Sequence, residues 1–305
     1  MTASNFEKIQ KIFKLHNHRP RVFTWPFFGT IIFSGIMFAG YKLNQYITIW
    51  DKYKQAGGNA TEFCELNRFD QLIVQPSNTW SNIGFIIAAL IVLSIAKNDS
   101  KYYERSSVNN LLARFPGFSF LFGFSLLYLG LGSFLYHASL THLFQKFDQT
   151  GMYFIVISAI AYNTYKLFPI IRLKNKHISS HKFLIWSAIT VMAAFYLYLW
   201  KLPINIIFPS LILIFFFLNL YVQTKIEHSK PIKSFLTAAF VTIVFSYAIW
   251  ILDRTTVLCS PTSPFQGHAL CHILNSVCIL LVYLYYRSED YLPEEIQNED
   301  IYETV

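Results

Sequence analysis

Long apolar runs broken by short polar ones dominate the chain. Runs near the roughly 20 residues needed to cross a bilayer fall at about 27–49, 79–97, 118–138, 149–168, 183–201, 203–222, 235–252 and 267–287. They predict eight membrane-spanning helices joined mostly by short loops, hence one all-α integral-membrane domain. Pro203, two residues after Lys201, marks a tight hairpin between the fifth and sixth of these. The first run follows a basic segment, Lys8 to Arg21, and lacks a convincing small-residue cleavage site. It therefore reads as a retained helix and not as a signal peptide.

The polar segments divide the rest. Residues 1–26 form a basic amino-terminal stretch, in which 5–15 has the pattern of a short amphipathic helix or of a solvated basic flank. Residues 50–78 make the longest linker, with Glu62, Cys64, Glu65, Asn67 and Asp70 close together. The tail 288–305 carries Glu289, Asp290, Glu294, Glu295, Glu299, Asp300 and Glu303 and no basic residue. Such a tail is expected to be disordered and solubilising, or else to be a recognition signal.

Composition agrees with a lipid environment. Of 305 residues, 54% are hydrophobic and 14% charged, against roughly 25% charged in a soluble domain. The net charge of +8 would suit nucleic acid, but its placement argues otherwise. With eight crossings both termini share a side. That side then holds 18 Lys and Arg, and the other only Lys42, Lys52, Lys54, Arg68, Lys146, Lys201 and Arg254. Basic excess marks the cytoplasmic face, so both termini are expected inside.

Against this apolar background the ionisable residues stand out, because burying them in a membrane is costly. His268 and His272 lie four apart at the start of the last run, on one face of a helix and about one turn apart. His137 closes the third run, with Ser133 one turn before it, and Asp148 opens the fourth. Asp253 closes the seventh. In the eight-span topology all of these reach the same, outer membrane face. Imidazole suits zinc, and a hydrolytic zinc site uses three protein ligands and keeps one position for water. Asp148 would then accept a proton or orient a ligand, and Ser133 would donate to an oxyanion or merely pack as a small residue. His142, about 140° round a helix from His137, is expected in a loop with no ligand role. His16, His18, His177, His181 and His228 fall in inner polar segments and are expected to be solvated. Cys271 and Cys278 read as small packing residues in the last helix.

Three blocks resemble the alkaline ceramidases, members of a wider superfamily of seven-helix membrane hydrolases that includes adiponectin-receptor-like and GPI-lipid-remodelling proteins. They are FCELNRFDQLIVQPSNTWSN at 63–82, GSFLYHASLTHLFQKFD at 132–148 and LDRTTVLCSPTSPFQGHALCH at 252–272. The resemblance implies a seven-helix catalytic bundle over 79–287, with the run 27–49 as one extra helix. It implies zinc on His137, His268 and His272, with Asp148 and Ser133 around the catalytic water. It also implies calcium in the acidic block. There Glu62 stands for the family's aspartate and Phe63 for a tryptophan that ligates through its carbonyl, followed by Glu65, Asn67 and Gln75. Gln75 replaces a glutamate, which weakens charge neutralisation of the ion. Cys64 and Cys259 match positions that pair as a disulfide, which an oxidising lumen or periplasm permits.

The expected function is a zinc-dependent amidase splitting ceramide into a sphingoid base and a fatty acid, with a membrane lipid as partner and no nucleic acid. A lipid esterase or phospholipase of the same superfamily shares these residues. A receptor-like or structural seven-helix protein with a closed zinc site would not need Asp148 and Ser133.

Overall fold

The computed structural model describes residues 24–43, 50, 63–102, 110–173, 176–226, 231–257 and 259–291. The proposed helix 5–15, His16, His18, Glu62, His228 and the tail beyond Tyr291 lie outside them, as do residues 44–49.

Each predicted run overlaps a helix among the described residues, the first of them only over residues 27–43. In chain order these are α1 (Thr24–Leu43), the short α2 (Pro76–Ser81), α3 (Ile83–Tyr102), the single turn α4 (Leu111–Arg114), α5 (Pro116–Ser139) and α6 (His142–Leu167). After a small hairpin come α7 (His181–Ala194), α8 (Ile204–Lys225), α9 (Lys233–Arg254) and α10 (Gly267–Arg287). A π turn, Phe195–Leu199, extends α7. Among the described residues, six helices are long and apolar enough to cross a membrane: α2 with α3, then α5, α7, α8, α9 and α10. Two predicted spans differ in kind. The apolar part of α1 is short, Pro26–Gly40. α6 is longer than its apolar run because two polar turns, including His142, Gln145, Lys146 and Asp148, precede it. The helix continues there because protein, and not lipid, meets those side chains: Gln145 is buried, His142 packs on Trp200 and Lys146 lies over the Tyr196 ring.

The bundle is built round α5 and α6, which lie against each other, with α3 packed on α5, α10 on α3 and α9 on α10. α7 and α8 rest on α6, and α1 on α3. Only 6% of the apolar stretches of α7 and α8 and 11% of that of α9 are buried, against 67% for α5. Apolar surface that extensive requires hydrocarbon around it. The protein is an integral-membrane protein.

Small residues set the α5–α6 contact. A Cβ on Gly132 would come within 3.0 Å of the Phe147 carbonyl carbon and 3.1 Å of the Asp148 nitrogen, and one on Gly151 within 2.8 Å of the Leu129 Cα. The two helices are joined by a tight reversal at Leu140, which adopts a left-handed backbone (φ 48°) uncommon for a bulky residue. Burial of Leu140 against Val74 and Tyr136 holds it there.

The end of the bundle away from the histidines is closed by buried ion pairs. Arg287 Nη2 meets Asp99 Oδ1 at 2.9 Å. Asn110 Nδ2 donates to the carbonyls of Tyr286, Arg287 and Glu289, capping α10. Glu289 is buried, paired with Lys166 and accepting from Tyr162 Oη. This corrects the expectation that the acidic tail begins at residue 288: Ser288 and Glu289 belong to the packed bundle. The connection between α6 and α7 holds an antiparallel pair, Ile170–Leu173 with Lys176–Ser179, that hydropathy did not foreshadow. His181 is half-buried, its ring against Phe115 at 4.7 Å, and is not simply solvated.

Candidate metal centre

The end of α5 and the start of α10 bring His137, His268 and His272 together, with one ligand nitrogen from each within 4.8 Å of the others. His137 and His272 are buried and His268 is partly so. The Nε2 atoms of His137 and His268 are 3.2 Å apart. Zinc–nitrogen bonds of about 2.0–2.1 Å in a tetrahedron place two ligand nitrogens about 3.3–3.4 Å apart, so the donor set fits such an ion.

The far side of two rings is already committed. His137 Nδ1 donates to Gln75 Oε1 at 2.7 Å. His272 Nδ1 lies 2.8 Å from Ser81 Oγ and 3.1 Å from the Asn78 carbonyl. Ser81 Oγ in turn donates to that carbonyl, at 2.9 Å, so it takes the imidazole proton as acceptor. Both rings therefore carry their proton on Nδ1 and present a bare Nε2, the tautomer a metal ligand needs. His268 Nδ1 is buried without a partner among the described residues. The Phe63 ring covers the cluster, with centroids 4.4 Å from His268 and 4.9 Å from His137.

Ser133 lies one turn before His137 on α5, its hydroxyl close enough to the Asp148 carboxylate to steady its charge. That turn, about 6 Å of helix rise, brings the Asp148 carboxylate to the neighbourhood of the histidines. The carboxylate does not join the three imidazoles as a ligand group among the described residues. The glycine contact at Gly132 is what lets the α6 backbone come this close. His142 opens α6 and does not sit in a loop; its ring packs edge-on against Trp200 at 4.7 Å. Cys271 and Cys278 face α9, bonding the carbonyls of Ser246 and Ala239.

The acidic block lies beside the histidines. Cys64 and Cys259 form a disulfide with Cα atoms 5.5 Å apart, tying the block to the loop before α10. Glu65 is buried and caps α2, its two oxygens accepting from Ser77 N and Asn78 N at 2.8 Å each. Burial raises its pKa, and those amides with the nearby Arg68 guanidinium oppose the rise. Gln75 Nε2 donates to Asn67 Oδ1 at 2.7 Å.

The Ceramidase family pattern matches residues 57–304. The chain belongs to the ceramidase family. It is 27% identical over 235 residues to an alkaline ceramidase of Arabidopsis thaliana, covering 75% of this chain and 84% of the plant protein. No solved structure matches significantly. The family match takes in every element from α2 onward and leaves α1 ahead of it.

Two supports of this ceramidase-family site were not assigned from sequence. Asn78 and Ser81, which hold His272, stand at the head of an apolar run, where Asn78, Thr79 and Asn82 are all fully buried. Uncharged polar residues at a span's edge were the available signal. Asp253 lies at the same end of the bundle as the histidines. It is buried with Oδ2 accepting from Cys64 N at 3.4 Å, and it packs against Gly267, next to His268.

Proposed function

We propose that the protein is a zinc-dependent amidase working within the membrane on ceramide or a close N-acyl sphingoid lipid, releasing a long-chain base and a fatty acid. The observation that carries this reading is the meeting of three imidazoles with a Ser133–Asp148 pair one turn away, in a chain of the ceramidase family. Zinc held by His137, His268 and His272 would supply an acidified water and a Lewis acid for the amide carbonyl. Asp148 would take that water's proton and deliver it to the leaving nitrogen. In the resting arrangement the Ser133 hydroxyl would donate to the Asp148 carboxylate beside it and orient it. Once Asp148 is protonated it no longer needs that donor, and the Ser133 hydroxyl is released toward the developing oxyanion. Phe63 shields the histidines from solvent, which strengthens each of these interactions.

We place both termini on the cytoplasmic side and the site toward the lumen or periplasm. The split of 18 basic residues against 7 supports this, and so does a disulfide on the site's side, which needs an oxidising compartment. The amide of a ceramide lies at the headgroup boundary, the depth expected for residues at helix ends. Membranes expressing the wild type should lose ceramide and gain free base by lipid mass spectrometry, and those expressing His268→Ala should not. Purified zinc-loaded protein that cleaves an acyl ester but no acyl amide would move the assignment to a phospholipase. Bound zinc with neither activity would make it structural.

A further inference from the structure

Among its described residues, the acidic block next to the histidines has the wrong donors for a second cation. Calcium takes six to eight oxygen ligands. Gln75 is fully buried and has one oxygen, and that oxygen accepts from His137 Nδ1 at 2.7 Å and from Asn78 Nδ2 at 3.2 Å. Its other end is therefore an amide NH₂, which points at Asn67 Oδ1 at 2.7 Å. A carboxylate at this position would set an oxygen against the Asn67 oxygen. Two oxygens that close repel unless a cation lies between them, and here the N–H removes the repulsion instead. Both oxygens of Glu65 are engaged by backbone amides, and the Arg68 guanidinium stands 3.6 Å from one of them, so the carboxylate already has partners for its charge.

We infer that the Asn67–Gln75 amide pair stands in for a bound divalent cation: it fastens the 63–75 loop to His137 directly and leaves the histidine centre independent of calcium. Gln75 is thus a positioning residue, holding His137 in the tautomer that presents Nε2. The inference rests on reading the three histidines as metal ligands, and its test separates the two. Full-length protein purified in detergent, in calcium-stripped buffer, is titrated with calcium chloride while thermal unfolding and zinc content are read.

The wild type should show no calcium-dependent rise in unfolding temperature, whereas Gln75→Glu should gain one. Gln75→Leu should bind zinc about 10–100-fold more weakly, the usual effect of losing a ligand's outer partner. Gln75→Glu, which keeps the acceptor, should recover zinc affinity when calcium is present. A wild type stabilised by calcium, or Gln75→Leu holding zinc as tightly as wild type, overturns the inference and leaves the zinc reading intact. A wild type that binds no zinc overturns both. Should Gln75→Leu fail to fold, the wild-type titration and Gln75→Glu decide.

Discussion

Single side chains here divide into those that would touch the metal and those that aim them. Ser81 is half-buried and bonds only His272 and the Asn78 carbonyl, so Ser81→Ala removes a partner without opening the core. Its zinc affinity should fall by about 10–100-fold with the fold unchanged, as metal analysis and thermal unfolding would show. Asp148→Asn should do the opposite, keeping zinc and losing about 10²–10⁴ in turnover. Equal zinc loss in both variants would contradict the separation of roles. The histidine pair could be read from the chain because a spacing of four on an apolar helix has few other uses. Asn78 and Ser81 could not, since one amide or hydroxyl near a span end is as often a helix-packing group as a ligand partner.

Helix positions were legible because lipid-facing residues must be apolar, and α10 begins and ends where its apolar run does. The start of α6 was not. Its first two turns face the protein, so their polar residues look like loop to any hydropathy argument. What fixes that segment is contact, and the contact is testable. Gly132→Ala places a methyl against backbone atoms of Phe147 and Asp148 that cannot rotate away. Overpacking of this kind costs about 1–3 kcal/mol. The variant should unfold at lower temperature, and its turnover should fall as Asp148 is pushed from Ser133. An unfolding temperature equal to wild type would mean that the helices separate more freely than this packing implies.

The whole molecule has two polar ends of opposite character: a partly open histidine site, and an ionic seal that ties α3, α6 and α10 together through Asp99, Arg287, Lys166 and Glu289. The seal was invisible in the sequence, because its charges lie at span ends where charge ordinarily marks the membrane surface and solvent. Lys166→Met would strand the Glu289 carboxylate, a loss of about 3–5 kcal/mol visible in detergent unfolding. Lys166→Met with Glu289→Gln should recover much of it. The same two-ended layout bears on how the chain sits in the membrane. α1 packs on α3, with the Phe33 ring 5.3 Å from Phe134, yet it lies outside the family match and its apolar stretch is short. If α1 crosses along with α6 and the six long apolar helices, the crossings are even in number and the two termini face one compartment; if α1 only lies along the bundle while α6 crosses, they are opposed. On the assignment of both ends to the cytoplasm, epitope tags at residue 2 and after Val305 should both be protected from protease added outside intact spheroplasts, and both be cleaved by protease added to sealed microsomes. Matching behaviour of the two tags supports a crossing α1, and opposite behaviour rules it out whatever the absolute orientation.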